Sequence, residues 1–268
     1  MKRTLQAGAS GLLMNLYVRT RSEMLRTRRL CRGPLMKLRP ETADLKARRR
    51  APQAVAAKPD LDAFTPRERA LVERLATPRA VQRWLETVPY NKEKEGPTCR
   101  SFRGVVRAGT AHCLEAAVSA AVILEQRGFP PTLLSIDSRD GLGHAVLLFE
   151  DRGRWGAVSR SRYPGLHGRR PVFRSVRDLA WSYFDPFVDY TGEITGYAVV
   201  DLAEAVRGDW RLAKRHVWRV ERALVEAPHT RLRASRARVR RLRSWYKAWK
   251  AENPDDEPPF YPGHERWL

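Results

Sequence analysis

The chain has 268 residues, 43% of them hydrophobic, with three cysteines and a formal net charge of +21. That length can bury one sizeable core or two small ones. Three scattered cysteines with no CxxC pair exclude a disulfide framework and a zinc ribbon or finger, and a reducing, cytoplasmic setting is the simplest reading. The charge is unevenly spread: residues 1–58 carry net +12, 59–206 net +1, 207–250 net +12 and 251–268 net −4. An electrostatic partner would therefore meet the flanks.

The opening, MKRTLQAGASGLLMNLYVRTRSE, is basic and holds a short apolar run, Gly11 to Val18. The run is too short for a secretory signal, and Arg19 and Arg21 follow it at once. Residues 1–22 contain no acid, which also suits a transit peptide. The plainer expectation for residues 1–58 is a basic, disordered tail, with Met24 and Met36 as alternative starts. No run of about 18 apolar residues occurs, so no transmembrane helix is expected.

Order is expected from about residue 59. Thr65, Pro66 and Glu68 have the spacing of a capping box, and Thr77-Pro78 repeats the start signal for a second helix that Pro89 closes. After the polar stretch NKEKEGPTCRSF comes TAHCLEAAVSAAVILEQRG. Leu114, Ala117, Val118, Ala121, Val122 and Leu124 make it apolar nearly all round, which marks a buried helix, and Gly128 stands past its end. Three strands follow, TLLSID, HAVLLFE and RWGAVSRS, with Asp151-Arg152-Gly153 joining the last two as a tight hairpin. Residues 162–200 read as irregular and aromatic, apart from a helical SVRDLAWSYFDPF and a strand at YAVVDL. DWRLAKRHVWRVERALVE and TRLRASRARVRRLRSWYKAWK read as helices, the second with an apolar stripe of Leu232, Val239, Leu242, Trp245, Tyr246 and Trp249.

Cys113 begins the buried helix, where unpaired N–H groups and the helix dipole favour a thiolate. His144 opens the middle strand and could take the thiol proton. The residues TAHCLEAA, GHAVLLFEDRGRW and the strand after them resemble the transglutaminase-like superfamily of papain-type cysteine enzymes, over about Val105 to Arg162. The resemblance implies an α+β fold, a papain-like core with the cysteine helix packed on an antiparallel sheet. It also implies Cys113 as nucleophile, His144 as general base and acid, and acyl transfer or hydrolysis at a peptide or glutamine amide through a thioester. The family's orienting Asp falls about 15 residues after the His, and here that slot is Ser159.

A hydroxyl accepts a hydrogen bond from an imidazole but cannot balance an imidazolium as a carboxylate does. Asp137, Asp140, Asp185 and Asp189 are the acids that could reach His144 instead. Asp185 is favoured among them for its aromatic surroundings, and Ser161 and His167 are further polar neighbours. His112 is expected to point away from Cys113, to the surface. Cys31, Cys99, His216, His229 and His264 show no partner pattern. A metal held by His112, Cys113 and His144 is not expected, nor is any cofactor. Arg169-Arg170 would either meet an anionic substrate group or stand solvated.

These readings give three segments: a basic tail over 1–58, a transglutaminase-like core over 59–202, and a basic helical extension over 203–268 packed on it. The function expected is a cysteine acyltransferase or amidase with a peptide or protein amide as substrate. The alternatives are a binding module that keeps the fold without the acid, or a nucleic-acid-binding protein acting through its flanks. The last is disfavoured because no nucleic-acid module accompanies the arginines. The oligomeric state stays open.

Overall fold

The computed structural model describes residues 57–256. All but the last two residues of the expected N-terminal tail, and residues 257–268 of the extension, lie outside them. After a 3-10 turn at Leu61–Ala63, helix α1 (Pro66–Arg74) starts as its sequence predicts. Thr65 Oγ1 accepts from Glu68 N, and Glu68 Oε2 accepts from Thr65 N at 2.8 Å. Helix α2 (Pro78–Thr87) uses Thr77 in the same way. Helix α3 (Phe102–Ala108) lies where no helix is expected from the residues. Seven residues carry too little periodicity to read, and its definition comes from its ends: the Ser101 side chain caps Gly104 N, and Gly109 closes it at φ 69°. Helix α4 (Cys113–Glu125) is buried along its whole length from Leu114 to Leu124.

The sheet is antiparallel throughout and six-stranded, in the order β4-β3-β2-β1-β5-β6. Its strands are β1 (Thr132–Ser138), β2 (His144–Asp151), β3 (Arg154–Val158), β4 (Arg169–Phe173), β5 (Ile194–Asp201) and β6 (Thr230–Arg231). Arg152 at φ 49° and Gly153 at φ 70° form the two-residue β2–β3 loop. Two successive left-handed residues match the right-handed twist of the strands they join.

Both faces of the sheet are covered. Ala145, Leu147 and Phe149 of β2 join the core built from α1–α4, while Val146 and Leu148 join a second core. Period-two alternation thus sends successive residues of one strand into different layers, which is why β2 reads as a continuous apolar run. The second core takes Leu179, Ala180, Tyr183 and Phe184 from the pair α5 (Val176–Ser182) and α6 (Phe184–Phe187).

Beyond α7 (Leu202–Ala205) the chain departs from expectation. The helix read over 209–226 begins only at α8 (Trp218–Glu226). Asp209 Oδ1 accepts from Arg211 N and Leu212 N at 3.0 and 2.8 Å, and Val217 N donates to Cys99 O at 2.6 Å. These bonds hold residues 209–217 as a loop that buries Trp210 and Leu212. Trp218, at the start of α8, is 39% exposed and stacks on His216. Helix α9 (Arg236–Glu252) docks through Val239 and Tyr246 and leaves most of its arginines in solvent.

Residues 203–256 therefore complete both cores, with Trp210, Leu212, Val217, Val220 and Leu224 in one and Leu232 and Val239 in the other. The architecture is α+β. Among the described residues no helix is long and apolar enough to cross a membrane. Truncation after residue 206 should abolish cooperative thermal unfolding, followed by circular dichroism. Each buried side chain lost is worth ~1.5–3 kcal/mol, against a typical total of ~5–15 kcal/mol.

Candidate active site

The start of α4 faces the start of β2, and this brings Cys113 and His144 together. The packing of α4 on β2 fixes both backbones, so neither side chain depends on a loop for its position. Burial by itself would raise the pKa of the Cys113 thiol. Hydrogen bonding to His112 and to His144, and the charge of both imidazoles, overcome that and bring it down to about 5. Cys99, the other cysteine among the described residues, shows the opposite balance: burial, aided by the charge of Glu115, pushes it up to about 12.

His144 is 4% exposed and packs edge-on against the Tyr183 ring, with centroids 5.7 Å apart. Its Nε2 lies 2.9 Å from Ser159 Oγ and 2.8 Å from the main-chain oxygen of Leu166. Ser159 Oγ also lies 3.2 Å from Leu166 O and donates to it. Its lone pair is then left for the His144 Nε2–H, and the two acceptors together fix the tautomer that turns Nδ1 away from them. Ser159 is itself held by Gln82 of α2, whose Oε1 accepts from Ser159 N at 2.9 Å and whose Nε2 donates to Ser159 O at 3.0 Å.

The Leu166 carbonyl was not legible in the sequence, and it is fixed by a residue read differently there. Arg169 is neither solvated nor open to a substrate anion; it is 3% exposed. It donates to Gly165 O at 2.8 Å, His167 O at 2.9 Å and Gly168 O at 3.0 Å, and to Ser182 Oγ at 2.9 Å. Tyr183 Oη adds a bond to His167 O at 3.1 Å. The carbonyls on either side of Leu166 are thereby tied down, and that of Leu166 alone points at His144. Burial lowers the Arg169 pKa to about 10, which still leaves it charged at neutral pH.

The other acids considered lie elsewhere. Asp185 binds Arg238 through both carboxylate oxygens, at 2.7 and 2.8 Å. Asp137 lies 3.3 Å from His229, Asp140 accepts from Ser138 Oγ and Leu142 N, and Asp189 caps Thr191 N and Gly192 N. Ser161 Oγ accepts from Tyr163 N, and His167, its pKa lowered by burial and by Arg160, meets Ser161 O rather than His144.

His112 does not point away. It caps α4 by accepting from Leu114 N at Nδ1, 3.2 Å away, and it bonds Thr98 O through Nε2 at 2.9 Å. Tyr90, on a parallel bridge beside Ala111, completes the surroundings; burial and the charge of Cys113 both raise its pKa. Among the described residues no group of three His, Cys, Asp or Glu is placed to hold a metal ion.

With half the thiol ionised near pH 5, iodoacetamide labelling of Cys113 should be nearly flat from about pH 6 to 9. An ordinary thiol would instead gain about tenfold per pH unit up to ~8.5. Cys99 should stay unlabelled in the folded protein. Gly168→Ala should lose ~1–3 kcal/mol in denaturant titration through overpacking, because a Cβ there would stand 2.3 Å from Gln82 Oε1 and 2.6 Å from Ala157 O. Compared with known proteins, the sequence matches no family model and no curated protein.

Proposed function

We propose that Cys113 is the nucleophile of a transglutaminase-like, papain-type enzyme that transfers or hydrolyses an acyl group at an amide. The observation that carries this reading is geometric: Cys113 at the start of α4 and His144 at the start of β2 stand on two elements packed on each other, with His144 held through Nε2 by Ser159 and the Leu166 carbonyl, and the lowered thiol pKa agrees with it. A structural thiol gains nothing from ionisation, whereas a nucleophile needs it. Support also comes from the order of elements, a buried cysteine helix followed by an antiparallel hairpin that opens on His144.

In the reaction, the thiolate attacks the amide carbonyl, and N–H groups at the start of α4 stabilise the oxyanion. The C–N bond breaks as His144 gives a proton to the departing amine, leaving a thioester on Cys113. Water or an acceptor amine then attacks the thioester, gives up a proton to His144 and restores the thiolate. Ser159 and the Leu166 carbonyl orient His144 and keep its Nδ1 toward sulfur. They contribute dipoles and no net charge.

Among the described residues no carboxylate stands beside His144, which supports a second reading, a peptide-binding module without turnover. The two differ in one experiment. The full chain is incubated with a panel of glutamine-containing and unmodified peptides, with and without a primary amine, and intact mass is measured after acid quench. The enzyme reading expects an acyl adduct on Cys113 that the amine discharges, and none in Cys113→Ala. His144→Ala should slow adduct formation by roughly a hundredfold or more, the usual range for a general acid–base group. Peptide binding without an adduct across the panel would leave the binding module as the better reading.

A further inference from the structure

The negative charge that no described residue brings to His144 is present beside His112. Glu115, one turn into α4, is fully buried. Its carboxylate accepts from Asn91 Nδ2 at 3.1 Å, Arg100 N at 3.0 Å and His112 N at 3.1 Å. The Nε2 of His112 lies 3.6 Å from Glu115 Oε1 and 3.7 Å from Glu93 Oε1, and bonds the Thr98 carbonyl. One nitrogen of this ring thus meets only acceptors, two of them carboxylates. It keeps its proton, and the surroundings favour a second proton on the ring. The other nitrogen, Nδ1, is turned to the first turn of α4, where Cys113 stands.

We propose that His112, backed by Glu115 and Glu93, is the charge partner of the Cys113 thiolate, so that the carboxylate of this site acts from the nucleophile's own helix and not from beside His144. This rests on the reading of Cys113 as a nucleophile. The bookkeeping is simple: the thiol proton moves from Sγ to His112 Nδ1, an S–H bond breaks and an N–H bond forms, while the proton that His144 gives to the amine is taken up from solvent at Nδ1 and regained when the thioester is resolved.

Two features agree with the assignment, and a third consequence follows from it. Burial opposes a charged His112, yet its hydrogen bond to Cys113 and the charges of Cys113 and Glu115 raise its pKa to about 9. Burial likewise opposes a charged Glu115, and the His112 charge leads the effects that hold its pKa below the usual carboxylate value. The ion pair is thereby favoured between the two values, from about 5 to about 9. Nδ1 also cannot accept from Leu114 N–H while it holds a proton. The capped helix start and the ion pair are therefore alternatives, and ionisation releases one more N–H at the end of α4 where negative charge gathers. The remaining charged or titratable groups around the pair are His144 from β2, Tyr90, Arg100 beside Glu115, and Arg162 near Tyr90.

The test is a titration of the Cys113 thiolate by its ultraviolet absorbance in the full chain, read as the difference from Cys113→Ala. The variants are His112→Asn, Glu115→Gln, Glu93→Gln and His144→Ala. Asparagine keeps an N-cap acceptor while removing the imidazole. His112→Asn and Glu115→Gln should each raise the midpoint by about one pH unit or more, which at pH 5 is a fall in thiolate of several-fold, toward tenfold. Glu93→Gln should give a smaller rise, and His144→Ala a smaller rise than His112→Asn.

The proposal is overturned if His144→Ala carries the whole shift while His112→Asn leaves the midpoint in place. Should Glu115→Gln fail to fold by circular dichroism, His112→Asn and Glu93→Gln decide alone. Acyl-adduct formation is scored separately. Adducts with an unmoved His112→Asn midpoint reject this assignment and keep the enzyme reading. A moved midpoint without adducts keeps the assignment and rejects the amide chemistry.

Discussion

The front of the molecule depends on one buried carboxylate. Glu115 has no exposed surface, and an ionised carboxylate taken out of water is tolerated only when its lone pairs are filled and its charge is answered. Here the donors come from three separate pieces of chain: Asn91 from the segment after α2, the Arg100 amide from the approach to α3, and the His112 amide from the helix start itself. Asn91 also donates to Thr98, and Thr98 in turn bonds Glu93, so the loop between α2 and α3 is tied to the same point. Remove the charge and these segments lose their common anchor.

Elsewhere the core handles charge in two ways. Arg103 with Glu68 and Arg211 with Glu125 are close ion pairs, at 2.8 and 2.6 Å, the first with its carboxylate buried and the second sheltered on both sides, each joining elements distant in sequence. Arg169 is different. It is buried on carbonyl oxygens and an aromatic face, with its guanidinium 3.9 Å from the Tyr183 ring centroid. Five N–H donors in a planar fork can satisfy several carbonyls at once, which a lysine could not. The near-neutral charge of residues 59–206 thus conceals a specific arrangement of ions.

Much of the fold could be read from the residues because its signals are local. The capping box of Thr65 and Glu68, the all-apolar helix after Cys113 and the Arg152-Gly153 hairpin each lie within a few positions. Elements held by distant partners could not be read. Helix α3 is held at its start by the Arg211 and Ala213 carbonyls, β4 by pairing with β3, and the 209–217 loop by Asp209 and the Cys99 carbonyl. The site divides along the same line. Cys113, His144 and Ser159 carry letters at a meaningful spacing. The Leu166 carbonyl carries none, since every residue has one. Glu115 passes as an ordinary acid in a helix's first turn, and only its complete burial sets it apart. His112 was misread because adjacent helical residues usually face apart, whereas an N-cap lies outside the helical path and folds back over the first turn.

The edges of the sheet bear on how a peptide can approach. At one end stands β4, five residues long, with Pro171 at its centre and an irregular register against β3. At the other stands β6, only two residues long. An incoming extended chain normally docks on such a sheet by continuing its ladder of main-chain hydrogen bonds, which are indifferent to sequence. Neither border offers a long one: Pro171 interrupts β4, and on the far side β6 pairs with only Gly196 and Tyr197 of β5. A polypeptide substrate of the proposed reaction would therefore be recognised more through its side chains than through its main chain. The same interrupted borders leave little edge on which a second copy could add a strand.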